Sequence, residues 1–505
     1  MVNRYCISKL IIIVGVLIIF GALLIGMVIV PYSIRSKTIT DSLVDGTIQY
    51  DRWVNQPFPI NFNVYLFEIK NPLEVLNGLE KPNLHQRGPY VYTQTSIKRD
   101  IKRDSVYDTL SYKQYYHFEF NQNLSGEYTE NDEFYVLNAP LQGSFQIFER
   151  MGMAKELEDW WEEAFDGYEI IGPFIKIKVK NFLFDGVKFC TDPTNFMCSI
   201  MISSPTTRSR SMKLTEDGAL SFSAFGYKQD NHDGEYKIFA GVSDLYLESK
   251  VGLITAWENS DTLNIWKAGS CNTVRGRDFT IYPPYIDEID VFAIFSTDLC
   301  RAVTLQYQDQ HEYQNIEGQR RFLRRDTLSN QAGNSCYCTK RTANLNGSRT
   351  ECLPDGFLDM NECMLSPVVV SFPHFLWTTT DISQTVTGLK PEEDKHVTFI
   401  TIERDTGIPL IGAKRFQYNM VLRPIDGISI TTLLNPSMVP LLWTEESFEL
   451  SGELLETVEN YVYDMRVTQI LTWVFTILGM VIIIFVVCWY IFFVISPIIK
   501  QPANP

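Results

Sequence analysis

Eight cysteines crowd the middle of a 505-residue chain: Cys190, Cys198, Cys271, Cys300, Cys336, Cys338, Cys352 and Cys363. Thiols in such a set either hold a metal or oxidise in pairs. Cys336-Tyr337-Cys338 has the form of half a zinc site, yet no second Cys/His pair has zinc-like spacing and the six histidines are scattered. An even set within a large segment points instead to disulfides formed in an oxidising compartment. Eight cysteines allow roughly 105 pairings, and spacing alone does not choose among them. Nucleophile and phosphate chemistry has no signature here. The sequence holds no Gly-x-Ser-x-Gly, His-Glu-x-x-His, Walker loop or Gly-x-Gly-x-x-Gly. The chain reads as a non-enzyme without metal or cofactor.

Other reactive side chains carry weaker signals. His374 in Phe372-Pro373-His374-Phe375 could switch with pH, but no acid partner is visible and a hydrogen-bonded structural histidine is preferred. Arg320, Arg321, Arg324 and Arg325 could bind phosphate or a proteoglycan; a solvated loop balancing an acidic domain is the simpler reading. Trp160 and Trp161 could grip a ligand or a protein partner, or pack internally, although adjacent helical residues do not share one face. Asn123-Leu-Ser and Asn346-Gly-Ser are N-glycosylation sequons. Cys6 is a juxtamembrane palmitoylation candidate, and Cys488 reads as an ordinary buried thiol.

Long elements must position these groups. Leu10–Val30 and Ile470–Val494 contain no charged residue, and each reaches the length of about 20 residues that spans a bilayer. A cleaved signal peptide is disfavoured for the first, because such a segment has an apolar core of about 7–15 residues and a small-residue cleavage site. Pro31 and Tyr32 follow directly instead. The expected organisation is a cytosolic tail 1–9, a span 10–30, an exterior domain 31–469, a second span 470–494 and a cytosolic tail 495–505. Flanking Lys and Arg nearly balance, so orientation rests on the cysteines and sequons. They place the middle outside the cell and the protein in the plasma membrane. The chain carries 44 Lys+Arg against 60 Asp+Glu. Such an acidic domain argues against nucleic acid as a partner.

Within the exterior domain the pattern is mostly strand-like. Val64–Ile69 ends at Asn71-Pro72, a turn signal, and another extended run starts at Pro89. Tyr112, Gln114, Tyr116, Phe118 and Phe120 alternate with polar neighbours, and the two runs read as a long hairpin. Further strands are expected at Phe174–Val179, Val291–Phe295, Val303–Tyr307, Pro367–Phe372, Val397–Ile402, Ala413–Leu422 and Met438–Trp443. Residues 138–169 break this pattern. Asn138 suits an N-cap, Pro140 suits a first turn, and Leu141, Phe145 and Phe148 recur at helical spacing. A second helical stretch carries Met153, Leu157, Trp160 or Trp161, Ala164 and Phe165, and stops at Gly167. The segment Glu149–Glu169 is strongly acidic. Leu454, Val458, Tyr461 and Met465 lead helically into the second span. The fold class is α+β: a large antiparallel β domain with a helical insertion between two transmembrane helices.

These segments, in this order, resemble the class B scavenger receptor family over nearly the whole chain. The carrying residues are Phe58-Pro59, Asn71-Pro72 through Asn77-Gly78, Gly88-Pro89-Tyr90-Val91-Tyr92, Cys271-Asn272, Pro283-Pro284, Cys336-Tyr337-Cys338, Ser371 through Phe375, and Ala413-Lys414-Arg415-Phe416. Leu183-Phe184-Asp185-Gly186-Val187, followed by Cys190 and Cys198, is most similar to the arthropod sensory neuron membrane protein branch. The resemblance implies disulfides Cys271–Cys336, Cys300–Cys363 and Cys338–Cys352, with Cys190–Cys198 closing a short local loop. It also implies an irregular antiparallel β-barrel pierced by an apolar tunnel, with a helical apex at 138–169. Phe145, Phe148, Trp160, Trp161, Phe165 and Tyr168 would then form the ligand entry, and Met364 would line the tunnel.

The implied activity is binding of hydrophobic pheromones or other long-chain semiochemicals and their passage to the membrane or an odorant receptor. Odorant-binding proteins and membrane lipids are further implied partners. Each buried methylene contributes about 0.8 kcal/mol, so a chain of a dozen carbons has ample drive to enter. Two departures bear on the cargo. The apex is acidic where some members are basic, and Met364 stands where some have a lysine that contacts fatty-acid carboxylates. Both favour an uncharged ligand. Arg275-Gly276-Arg277-Asp278 replaces a frequent family sequon and removes that glycan. Rival readings are a lipid-uptake receptor of non-neuronal cells and a receptor that docks a protein through its apex.

Overall fold

Alternating aromatic and polar residues build a long antiparallel hairpin in the computed structural model. Leu84–Asp104 pairs with Thr109–Phe120, from Tyr92 opposite Phe120 down to Asp104 opposite Thr109. The structure describes residues 2–33, 43–203, 209–242, 250–267, 269–288, 291–329, 333–378 and 380–495. Two units emerge, one of Leu43–Tyr313 with Glu317–Glu449, the other containing the terminal helices.

The hairpin belongs to a 13-stranded antiparallel sheet. Its main path runs Ile254–Trp257, Asn231–Phe239, Thr109–Phe120, Leu84–Asp104, Ile60–Ile69, Ser437–Glu449, Pro409–Leu422, Phe399–Glu403, Ile316–Leu323, Arg301–Tyr313, Phe292–Ser296. Each strand anticipated in this sheet from alternation has a counterpart here. Asn231–Phe239, Ile254–Trp257 and Ile316–Leu323 were not anticipated, because Asn-His-Asp-Gly and the arginine run mask their β character.

The sheet curls until its edges are laced together. Ile254 N–H donates to Gly276 O (2.8 Å), Arg277 N–H to Ala293 O (2.8 Å) and Phe295 N–H to Arg277 O (3.2 Å). One residue pair therefore bonds both edge strands and makes the sheet a nearly closed barrel, leaving little edge for stray pairing. Only glycine fits at 276. Its φ is +111°, and a Cβ there would stand 2.8 Å from the Ala293 carbonyl. The Arg-Gly-Arg-Asp string that replaces a family sequon is thus the barrel's seam. Arg277 and Asp278 are buried, and Asp278 accepts from Trp53 Nε1 (3.2 Å) and Tyr112 OH (2.8 Å).

Two small three-stranded sheets complete this unit: Glu133–Leu137, Phe174–Lys178, Glu169–Ile171; and Val187–Phe189, Leu220–Phe222, Met212–Leu214. The insertion departs from the expected helical pair. Ala139–Met151 is a true helix, capped by Asn138, whose side chain accepts from Leu141 N–H, and ended by Gly152 in the left-handed region. Beyond it the chain makes only a 3-10 turn, Lys155–Leu157, and one helical turn, Trp161–Ala164. Gly152 stops the helix, and the acid-rich stretch that follows has too few consecutive helix-forming contacts to restart it.

The terminal helices are long and apolar enough to cross a membrane. Val2–Leu24 continues through a π-helical turn, Ile25–Ile29, and Gly452–Tyr490 through Ile491–Ile495. They pack through small residues: a Cβ on Gly479 would lie 2.8 Å from Gly15 O. Close backbone approach of this kind drives association where lipid gives no hydrophobic advantage. Thr472 and Thr476 bury their hydroxyls at this seam by donating to carbonyls one turn earlier, at 2.7 Å. Cys488, expected as a buried thiol, lies instead on an exposed helix face, away from the buried stripe of Thr472, Thr476, Gly479 and Val486.

Candidate functional site inside the barrel

Opposed residues in an antiparallel register share a face. Tyr92 opposes Phe62, Phe62 opposes Glu446, and Glu446 opposes Lys414. These side chains therefore line one face across four neighbouring strands. The face is the concave one. Phe62 meets both Phe118 and Phe225 at 5.1 Å between ring centres, and Phe225 meets Tyr418 at 5.9 Å. Asp298, just past the edge strand Phe292–Ser296, reaches Lys414 Nζ at 2.7 Å although three strands separate them along the sheet. That contact crosses the inside of the barrel.

Charge sits within this mostly apolar interior. The Asp298 carboxylate bridges Lys228 (2.6 Å) and Lys414 (2.7 Å), and Lys414 also holds Glu446 (2.6 Å). Burial opposes ionisation of Asp298, yet the two ammonium groups outweigh it and hold its carboxyl well below the usual carboxylate range. Burial likewise opposes charge on Lys228 and Lys414, and Asp298 more than compensates. Asp233, nearby, behaves differently. Burial raises its pKa despite bonds from Tyr236 OH (2.6 Å) and Thr297 Oγ1 (2.7 Å). Between 11% and 21% of the four paired side chains stays accessible on this enclosed face. They border space rather than close-packed atoms. No reading of the sequence identified this cluster, since its members come from four distant segments.

Of the six anticipated entry residues, four are buried. Phe145, Phe148, Phe165 and Trp161 are buried in the largest core cluster. Phe145 meets Trp161 edge-on at 6.4 Å, and Phe165 stacks on Phe189 at 4.7 Å. Tyr168 is half-buried, its hydroxyl accepting from Lys188 N–H (3.1 Å). The tryptophans divide, Trp160 standing just before the helical turn that Trp161 opens: Trp161 is 6% accessible and Trp160 36%. Trp161→Ala is expected to cost about 3–5 kcal/mol, as for large-to-small core changes, and Trp160→Ala below about 1 kcal/mol. Thermal unfolding of the two purified variants distinguishes them.

Met364 is buried beside Cys363 in the turn Asn361–Met364, within the second core cluster. The cysteines pair as Cys190–Cys198, Cys271–Cys336, Cys300–Cys363 and Cys338–Cys352. Cys6, Asn123 and Asn346 are exposed.

The arginine run divides. Arg320 and Arg321 lie on the barrel strand Ile316–Leu323, with Arg321 fully buried, whereas Arg324 and Arg325 lie beyond it and are exposed, as a solvated loop would be. Its guanidinium donates to Asp287 O (2.7 Å) and Gln319 Oε1 (2.7 Å) and lies 4.5 Å from the Phe292 ring centre. Arg320 pairs with Asp309, Arg324 with Asp326 and Arg325 with Glu393. Arg320 and Arg321, successive strand residues, point to opposite faces, whereas Arg324 and Arg325 follow the strand.

A two-span chain around a nearly closed, disulfide-braced barrel can be compared with known families. The model described as CD36 family matches residues 12–490. The chain belongs to the CD36 family. Within it, the chain is similar to "Sensory neuron membrane protein 2" of Drosophila melanogaster, 30% identical over 85% of this chain and 87% of that protein. The protein of the same name in Anopheles gambiae is 29% identical over 92% and 90%. "Sensory neuron membrane protein 1" of Ostrinia furnacalis is 27% identical over 92% and 86%. As a CD36-family member, the chain thus combines two apolar terminal helices with a large disulfide-bonded body, the organisation of a two-span plasma-membrane protein.

Proposed function

We propose that this CD36-family protein is a non-enzymatic plasma-membrane receptor that takes up uncharged long-chain lipids or semiochemicals inside its barrel. Its termini face the cytosol and its barrel faces outward. The ligand is released to the surrounding membrane or to a neighbouring odorant receptor; relatives named as sensory neuron membrane proteins support a sensory setting and no more. The observation that carries this reading is the barrel's inner face. Aromatic side chains line it, and Lys228, Asp298, Lys414 and Glu446 are paired among themselves, so an apolar chain meets no unpaired member of that cluster.

The test is transfer. Purified full-length protein reconstituted in liposomes should speed delivery of radiolabelled hexadecyl acetate from a donor suspension severalfold over protein-free liposomes. Val64→Trp, which enlarges the inner-face residue two beyond Phe62, opposite Tyr90 and Thr444, should abolish the gain. Equal rates with and without protein reject the proposal. Orientation is tested separately. Asn123→Gln and Asn346→Gln should each remove one glycosidase-sensitive mobility step in a gel; no shift in either variant rejects an exterior barrel.

One observation supports a second reading, docking of a protein at the apex. Trp160 is exposed among Glu156, Asp159, Glu162, Glu163 and Asp166, all solvent-facing. On that reading Trp160→Ala abolishes capture of a basic partner and leaves lipid transfer intact.

A further inference from the structure

Two hydroxyls inside the barrel have no use in the fold. Tyr227 and Tyr418 sit beside the ion cluster, one next to Lys228 in sequence, the other two residues beyond Phe416 on the strand that carries Lys414. Neither hydroxyl has a hydrogen-bond partner among the described residues. Three other enclosed tyrosines do have one: Tyr236 OH donates to Asp233, Tyr112 OH to Asp278, Tyr92 OH to Glu130. An enclosed phenol without a partner forgoes a hydrogen bond that water or a ligand must supply. Both oxygens stay open to solvent, unlike the Tyr282 hydroxyl. The Tyr418 ring lies directly against Phe225 in the aromatic lining, and Tyr227 follows Phe225 by two residues.

The charged groups beside these hydroxyls, Lys228, Lys414, Arg210, Asp298 and Glu446, are already engaged. Each lysine is held by a carboxylate at 2.6–2.7 Å, and Arg210 donates to Thr297 O at 3.0 Å. A ligand carboxylate arriving here would face Asp298 and Glu446 and would have to break an existing pair. An uncharged oxygen needs only a donor, and two phenols supply one each.

Resting on the lipid-handling reading above, we infer that Tyr227 and Tyr418 form a polar station that grips the uncharged oxygenated end of a long-chain ester, aldehyde or alcohol. The paired Lys228–Asp298–Lys414–Glu446 cluster beside it rejects free acids. The chain of the ligand lies along Phe62, Phe118 and Phe225. The station sets which lipids are held, and the apolar lining sets how strongly.

Three labelled probes test this with the full-length protein in detergent: hexadecyl acetate, hexadecane and hexadecanoate. The wild type should bind the ester about fivefold or more tighter than the hydrocarbon, the worth of one retained hydrogen bond. In Tyr227→Phe/Tyr418→Phe that ratio should fall to about one. Glu446→Gln, which leaves Lys414 under-compensated, should raise hexadecanoate affinity about tenfold. If the wild type binds ester and hydrocarbon but the double Phe variant keeps the original ratio, the station is overturned and the transport reading stands. If Glu446→Gln leaves hexadecanoate binding weak, exclusion of acids by the cluster is overturned. Failure of the wild type to bind any of the three overturns the transport reading itself. The Phe changes delete one oxygen each, so they keep the test open even where Glu446→Gln folds poorly.

Discussion

Asp298→Asn should destabilise the barrel by about 3–5 kcal/mol, the cost of breaking a buried ion pair from one side. Among the described residues, the carboxylate is the one group that ion-pairs with both Lys228 and Lys414, at 2.6 and 2.7 Å. Its removal strands Lys228 entirely, whereas Lys414 keeps Glu446. Desolvation of the stranded ammonium is then uncompensated, and an amide carbonyl recovers only a fraction of it. Urea unfolding of the purified protein, followed by tryptophan fluorescence, measures the loss. Adding Lys228→Met to Asp298→Asn should return part of the stability, because it removes the orphaned charge. A loss below about 1 kcal/mol in the single variant would show that water reaches the cluster freely and that the barrel interior is wetter than its lining suggests.

Acidification should have the next largest effect, through two stacked histidines on the outer side of the sheet. His374 is buried; its Nε2 donates to Gln86 Oε1 (2.6 Å) and its Nδ1 accepts from Lys390 N–H (3.0 Å). That pairing requires the neutral ring. His396 stacks on it at 4.4 Å, its own Nδ1 accepting from Glu392 N–H (2.9 Å). Burial, reinforced by His396, lowers the His374 pKa to about 3. Burial, reinforced by Arg415, lowers that of His396 to about 4.

In the unfolded chain both rings titrate near 6.5. Below that pH the unfolded state binds protons that the folded state refuses, so stability is full above about 6.5 and is lost as pH falls towards 3–4. His374 alone accounts for about 2 kcal/mol at pH 5, and His396, closer to solvent, for less. The melting temperature should therefore fall between pH 7 and 5, and His374→Gln should flatten that slope. A wild-type melting temperature independent of pH over this range would mean the rings are not held neutral. The preference for a structural histidine at 374 agrees with this geometry, although its partners, Gln86 and His396, lie on segments that no motif joined to it.

What was legible in the residues was local. Charge-free runs at both ends specify membrane-length helices by composition alone, and Tyr112–Phe120 specifies a strand because side chains alternate every second residue. Asn138, Pro140 and Gly152 bracket a helix by capping chemistry that acts within one turn. The cysteine pairings came through family resemblance, since equal spacings are compatible with many connectivities. Arg320–Arg325 shows where local reading fails: four arginines look solvated in sequence, yet Arg321 is buried because Asp287, Gln319 and Phe292 happen to meet it.

By itself, then, the sequence determined two spans, an oxidised antiparallel β domain and a family, all properties of composition, period and order. Only the tertiary structure decided which side chains face inward together. Trp160 and Trp161 are neighbours in sequence and opposites in burial. Lys228, Asp298, Lys414 and Glu446 are far apart in sequence and within 2.6–2.7 Å of their partners in space. The reason is physical. Periodicity records how a residue sits on its own element, whereas pairing and burial depend on which other elements the curled sheet brings across its interior.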